Sequence, residues 1–212
     1  MIELLFATRN ANKTAEIRKI LGPQFQVNDL AEHPEIPHIA ETGRTFEDNA
    51  ILKAVTVSQH IPGFVVADDS GLEVDALGGA PGIYSARYAG PDANDNEKIE
   101  KLLKQLGRVA APKDPGRARF RCVLALARKG EVLGMFEGLI EGRIADRPRG
   151  SHGFGYDPIF IPNGFQRTFG ELEPAEKNQL SHRARALEKL GALLIVRADH
   201  QKSDPGYSIV GD

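Results

Sequence analysis

At 212 residues, with 41% hydrophobic and 26% charged side chains, the chain has enough apolar material for one large domain with a substantial core and does not have the composition of a disordered protein. A net charge of −2 excludes a protein that holds nucleic acid through its overall charge. The single cysteine, Cys122, excludes a disulfide within the chain and suits a reducing compartment.

The first strand is predicted over residues 2–7, followed by the polar run Thr8-Arg9-Asn10-Ala11-Asn12-Lys13 and a helix over 14–21, where Ile17, Ile20 and Leu21 form a stripe and Gly22-Pro23 ends it. A short strand is predicted near Phe25 to Val27, then a long loop over 29–44, then a helix over 45–60. The apolar run from Phe64 drives into Asp68 and Asp69 and is expected to break at Ser70-Gly71, which places both carboxylates at a strand end. Residues 83–88 read as a strand extension, and 95–106 as an amphipathic helix. A Pro-rich connection over 110–116 leads to strands over 118–127 and 131–140, joined by the Lys129-Gly130 turn. Residues 147–171 read as a structured loop, and Ser181 as the cap of a last helix with Leu187, Leu190 and Leu194 on one face. The alternation predicts an α/β domain over residues 1–197 with a mixed sheet flanked by helices, and a loose tail over 198–212. No secretory signal and no membrane-length apolar stretch is apparent, so a cytoplasmic protein without a membrane partner is expected.

Charge is unevenly spread: residues 31–100 carry 13 Asp/Glu against 4 Lys/Arg, and 104–149 carry 11 Lys/Arg against 5 Asp/Glu. Two solvated surfaces give that pattern as readily as an acidic metal site facing a basic phosphate site. Thr8 to Lys13 between a strand and a helix has the plan of a phosphate cradle, since helix N-termini and lysines attract anions. The P-loop pattern fails there because no glycine precedes Gly22, and a plain strand-to-helix turn has the same appearance. Adjacent strand residues point to opposite faces, so Asp68 and Asp69 are expected to do different jobs, only one of them facing a ligand. Glu41 and Asp69 together satisfy the one or two carboxylates that magnesium takes from a protein. Asn49 and Lys53 sit one helical turn apart and either reach a common phosphate or form a solvated face. Gly153-Phe154-Gly155-Tyr156-Asp157 offers an aromatic plane between glycines, on which a base can stack. Lys177, Ser181, His182 and Arg183 gather donors that a carbonyl-bearing base would satisfy and an amino group would not.

Taken together, Phe6 to Asn10 with Lys13, Glu41-Thr42-Gly43, Thr45-Phe46, Asn49-Ala50, Ala67 to Gly71, Gly78 to Tyr88, Gly153 to Pro158 and Lys177 to Arg183 resemble the Ham1-type inosine/xanthosine triphosphate pyrophosphatase family, over about residues 2–195. The resemblance implies an elongated α/β fold of two lobes with a cleft between them, a homodimer, and magnesium-dependent hydrolysis of ITP, dITP and XTP to monophosphate and pyrophosphate, cleansing the nucleotide pool. By position it implies Asp69 as catalytic acid and metal ligand, Glu41 as a second metal-associated acid, and Thr8 to Lys13 (Thr8, Arg9, Asn10, Ala11, Asn12 and Lys13) as the triphosphate loop. Ser70 would sit in the substrate site, and Phe154, Gly155, Tyr156, Asp157, Lys177, His182 and Arg183 would hold the nucleoside; beyond the resemblance, Lys53 is expected to join Lys13 in balancing phosphate charge. Arg9 departs from a common glycine and either adds a phosphate contact or points to solvent; Asp48 departs from a frequent glutamate. The rival readings are a Maf-like nucleotide pyrophosphatase of other base specificity and a non-catalytic nucleotide-binding module.

Overall fold

The computed structural model describes residues 1–109 and 116–203, with side chains to 198. The Pro-rich connection up to residue 115 and the last nine residues of the expected tail therefore lie outside the described residues.

β1 (Ile2–Phe6) feeds α1 (Ala11–Leu21), which starts earlier than periodicity predicts because Asn10 caps it, accepting hydrogen bonds from the Asn12 and Lys13 amides. β2 (Phe25–Asp29) and α2 (Phe46–Ser58) follow, the latter capped by Thr45 through the Asp48 amide. β3 (Phe64–Val74) does not break at Ser70-Gly71 but continues to Val74, so the two aspartates lie inside a strand rather than at its end. The reason is unbroken pairing with β4 (Arg117–Arg128), in which Ser70 faces Cys122 and Gly71 faces Arg121. Gly71 is required by close approach rather than by a turn: a Cβ there would collide with the Gly82 carbonyl and Ser85 Oγ. Residues 82–87 form a 3-10 turn, not the expected strand extension. α3 (Asp95–Leu106), β5 (Glu131–Ile144), β6 (Phe160–Pro162), α4 (Pro174–Leu180) and α5 (His182–Ser203) complete the chain. β6 and α4 are too short for a periodic signal. α5 passes Arg197, so the tail does not begin at 198.

The strands form one mixed sheet in the order β2-β1-β3-β4-β5-β6, parallel around β1 and antiparallel from β3 onward. Strand alternation sorts the core. Leu4, Phe6, Val66, Leu124 and Leu126 face α1 and α5, whereas Leu5, Val65, Ala67, Val123 and Ala125 face α2. These two clusters build one lobe. The far ends of β3, β4 and β5 pass beyond α2 and close on a third cluster with Ile99 and Leu102 of α3, Phe160 and Phe169, the second lobe.

Candidate active site

Between the lobes lies a cavity of about 230 Å³, walled by the start of α1, the middle of β3, the 83–86 turn, α3, the 154–157 loop and the start of α5. β3 supplies it through alternation. Asp69 continues the Val65-Ala67 face and meets α2, where its Oδ2 accepts a hydrogen bond from Asn49 Nδ2 at 3.1 Å and its Oδ1 lies 3.3 Å from Lys53 Nζ. Asp68 continues the Val66 face and meets α1 and α5. It pairs with Lys13, accepts from Arg183 Nε at 2.9 Å, and receives the Ser70 hydroxyl at 2.9 Å and the Cys122 thiol at 3.3 Å. Asp69 lines the cavity and Asp68 does not.

Their acidities diverge accordingly. Asp69 is pushed up, by burial and by the negative charge of Glu41, against the pull of Lys53. Burial would raise Asp68 too, but Arg183 and Lys13 hold it well below the ordinary carboxylate range. Asp68 is thus a fixed anion, while Asp69 is the carboxylate with a stronger appetite for a proton.

Lys53 Nζ donates to Glu41 Oε1 at 2.7 Å and to the Asp68 carbonyl at 2.8 Å, and burial is outweighed by Asp69 and Glu41, so it stays charged. Asn49 and Lys53 are therefore neither a solvated face nor a cavity wall; they hold the acids from behind. Arg87 completes the set by pairing with Glu41 Oε2 at 2.8 Å. No group of three or more His, Cys, Asp or Glu arranged to hold a metal occurs among the described residues. Glu41 and Asp69 do converge on one ammonium, and Glu41 strains the Asp69 carboxylate electrostatically. A divalent cation would relieve that repulsion, and two carboxylates completed by water and phosphate oxygens fit magnesium.

At the α1 end, Asn10, Asn12 and Lys13 reach the cavity, whereas Thr8, Arg9, Ala11 and Lys53 do not line it. Asn10 Oδ1 already occupies two of the helix amides, leaving less of the backbone free for an anion than the loop's plan implies. Thr8 Oγ1 accepts from the Asn10 amide at 3.1 Å and shapes the loop. Arg9 neither adds to the cavity nor points idly to solvent: its Nη2 donates to the Ile36 carbonyl at 2.5 Å, tying the loop to the 33–36 turn.

At the other end, Phe154, Gly155, Tyr156, Asp157, Lys177, His182 and Arg183 all line the cavity, with Ser70 beside them. Asp157 Oδ2 accepts from the Phe154 amide at 2.8 Å and from Lys177 Nζ at 2.7 Å. The Tyr156 hydroxyl donates to the Ser85 carbonyl at 3.0 Å. Lys177 Nζ and the Arg183 guanidinium stand 5.0 and 5.7 Å from the centroid of the Phe154 ring. His182 stacks on Phe120 at 4.7 Å with 10° between the planes. Burial and Arg183 hold its imidazole well below its ordinary pKa, so it is neutral, and its Nδ1 is buried without a protein partner. A buried nitrogen in a cavity wall that lacks a protein partner is open to a ligand or a water.

Sequence reading did not single out Glu16, Arg87, Asp95 or Phe120. Glu16 joins Lys177 at 2.9 Å to Arg183, and burial alone would raise its carboxyl, but Arg183 and Lys177 bring it down to about 2. A signal for it existed: Glu16 falls beside Ile17 on the buried stripe of α1, where an unpaired acid would be costly. Phe120 likewise alternates with the outward arginines of β4.

Fold and site together define an α/β protein with a cleft that joins paired acids and an amide-and-lysine loop to an aromatic shelf backed by cations. The sequence pattern of the Ham1 family matches residues 4–193, and the chain belongs to that family. It is 50% identical over 195 residues to the dITP/XTP pyrophosphatase of Bacillus subtilis (strain 168), covering 92% of this chain and 98% of the relative. It is 49% identical to the dITP/XTP pyrophosphatase of Bacillus licheniformis, with the same coverage. Among solved structures, a HAM1 protein from Coxiella burnetii superposes with a TM-score of 0.82 at 43% identity, covering 92% of this chain and 99% of that one. The Ham1 protein of Staphylococcus aureus gives 0.80 at 41% identity, with 92% and 99% covered.

Proposed function

We propose that the protein is a magnesium-dependent pyrophosphohydrolase that cleaves ITP, dITP and XTP between the α- and β-phosphates, clearing these nucleotides from the pool. The observation that supports this most is that one cavity carries Lys13, Asn10 and Asn12 at one end, Asp69 and Glu41 in its wall, and Phe154 with His182 at the other. That sequence of groups matches triphosphate, reacting phosphorus and base. The names of the relatives agree with it.

Lys13 and the N-terminus of α1 draw the triphosphate to the α1 end. Asp69 accepts a proton from a water aligned on the α-phosphorus; the water oxygen bonds to phosphorus, the α–β anhydride bond breaks, and pyrophosphate leaves with the bonding pair. Its raised pKa makes Asp69 a better base than an ordinary aspartate. Asn49 and Lys53 fix the carboxylate so that the water is met in one orientation. Magnesium held by Asp69 and Glu41 would supply Lewis-acid neutralisation of charge on the phosphate oxygens. Phe154 stacks on the base, and the neutral His182, with Arg183 beside it, meets the 6-oxo edge. Arg183 is already spent on Asp68, Glu16 and Ser70, which leaves His182 Nδ1 as the group seeking a partner. The working unit in this reading is a cytoplasmic homodimer; equilibrium sedimentation tests the dimer.

A panel of nucleoside triphosphates with pyrophosphate release as readout is the direct test. ITP, dITP and XTP should be turned over well ahead of ATP, dTTP and UTP. Asp69→Asn should lower kcat by about 10²–10⁴ while nucleotide still binds. Near-normal turnover by that variant would remove Asp69 from the chemistry.

A further inference from the structure

The aromatic shelf is built on a deformable base. Phe154 lies between Gly153 and Gly155, both at positive φ (76° and 63°), and around Gly155 no atom beyond the adjacent residues stands within 4 Å of where a Cβ would be. Packing therefore does little to fix the loop there, and its backbone amides must do so instead. The Phe154 amide is held from its own side of the cavity by Asp157, which Lys177 anchors. The Gly155 amide is held from the opposite side: it donates to Asp95 Oδ2 at 2.6 Å, across 60 positions of sequence.

Asp95 is free for this task because the neighbouring residue caps the helix. Asn94 and Glu97 form the reciprocal capping box of α3, and Asp95 takes no part in it. Its other oxygen, Oδ1, is fixed at 2.7 Å by Lys98 Nζ. Lys98 and the backbone amide of Gly155 keep the carboxyl ionised against the effect of partial burial. Asp95 and Lys98 both line the cavity.

We propose that Asp95 is a positioning residue for base stacking: its carboxylate, reaching from α3 to the Gly155 amide, sets the depth and tilt of the Phe154 ring and so governs affinity for the nucleoside part of the substrate but not for its phosphates. The inference rests on the functional reading above. Asp95 touches neither the acids nor Lys13, so its loss acts on binding common to ground and transition states, which raises KM and leaves kcat in place.

The test compares wild type with Asp95→Asn, Asp95→Leu and Glu97→Ala. ITP kinetics are measured with magnesium, and calorimetry follows binding of inosine monophosphate and of inorganic tripolyphosphate. Asp95→Leu should raise KM for ITP and weaken inosine monophosphate about tenfold, the worth of one hydrogen bond to a charged acceptor. Its kcat and tripolyphosphate affinity should stay near wild type. Asp95→Asn keeps an oxygen for the Gly155 amide and should fall between. Glu97→Ala, which weakens the same helix without touching the loop, should lower Tm and leave KM unchanged. An unaltered KM in both Asp95 variants, or a parallel fall in tripolyphosphate affinity, overturns the proposal. If wild type turns over none of the inosine and xanthosine triphosphates, the functional reading itself falls, an outcome distinct from either.

Discussion

Two sets of ion pairs use the same residue types and differ in where the sheet puts them. On the outer face of β4, Arg117, Arg119 and Arg121 alternate with inward Ala118, Phe120 and Cys122. These arginines pair with Asp75, Glu141, Glu137 and Glu47, and most of the partners are at least a third exposed. Along one wall of the cavity and just behind it, Lys13, Asp68, Arg183, Glu16, Lys177 and Asp157 form a continuous chain, and every member except Lys13 has a side chain no more than 8% exposed. The outer pairs keep contact with water through their carboxylates, so each contributes about 0–1 kcal/mol. The inner chain has given up its water, and each charge is tolerable only because its neighbours are in place. Net stability is a poor reason to keep it, because apolar residues of similar volume often replace such a network at no loss. Its position is a better one: it fixes Phe154 through Asp157, the Asp68 side of β3 and the start of α5 around one cleft.

The comparison is broken most severely by removing one inner charge. Glu16→Gln leaves Arg183 and Lys177 without their shared counter-ion and should cost about 3–5 kcal/mol, measured by urea unfolding at pH 7. It should also weaken inosine nucleotide binding, since both cations stand over the Phe154 ring.

Acid sharpens the same contrast. The Glu16 carboxyl is depressed from 4.5 to about 2 in the folded protein, so its contribution is fully present above pH 4.5 and is lost as pH falls toward 2. Asp68 has the same sign. Asp69 and Asp157 are raised and run the other way. The stability lost through Glu16 is on the order of 3 kcal/mol, and the Glu16→Gln variant should lack that component of the acid-unfolding profile.

The smallest effect belongs to the outer face. Arg119→Met removes contacts to Asp75, Glu141 and Glu73, yet should change stability by about 1 kcal/mol or less, with the difference shrinking as salt is added. A cost above that would place the outer ladder in the same class as the inner chain.

Much of this was legible before any coordinates. The helix over 45–60, the cap at Ser181, the leucine stripe of α5 and the placement of Asp68 and Asp69 on opposite faces follow from period and local chemistry. Ser70-Gly71 misled because a small-residue pair ends many strands, whereas here Gly71 admits the Gly82 carbonyl against a strand that continues to Val74. Lys53 showed its proximity to Asn49 but not its burial between Glu41 and Asp69.

The sequence by itself determined most of the longer elements, the Ham1 family and the residue types that the cleft contains, because periodicity, capping and motif spacing act over a few residues. Only the tertiary structure decided which of those residues share a cavity and in what charge state. Glu16 meets Arg183 and Asp95 meets Gly155 across long separations, and a carboxylate's pKa is set by the burial and the charges that surround it after folding, not by its neighbours in the chain.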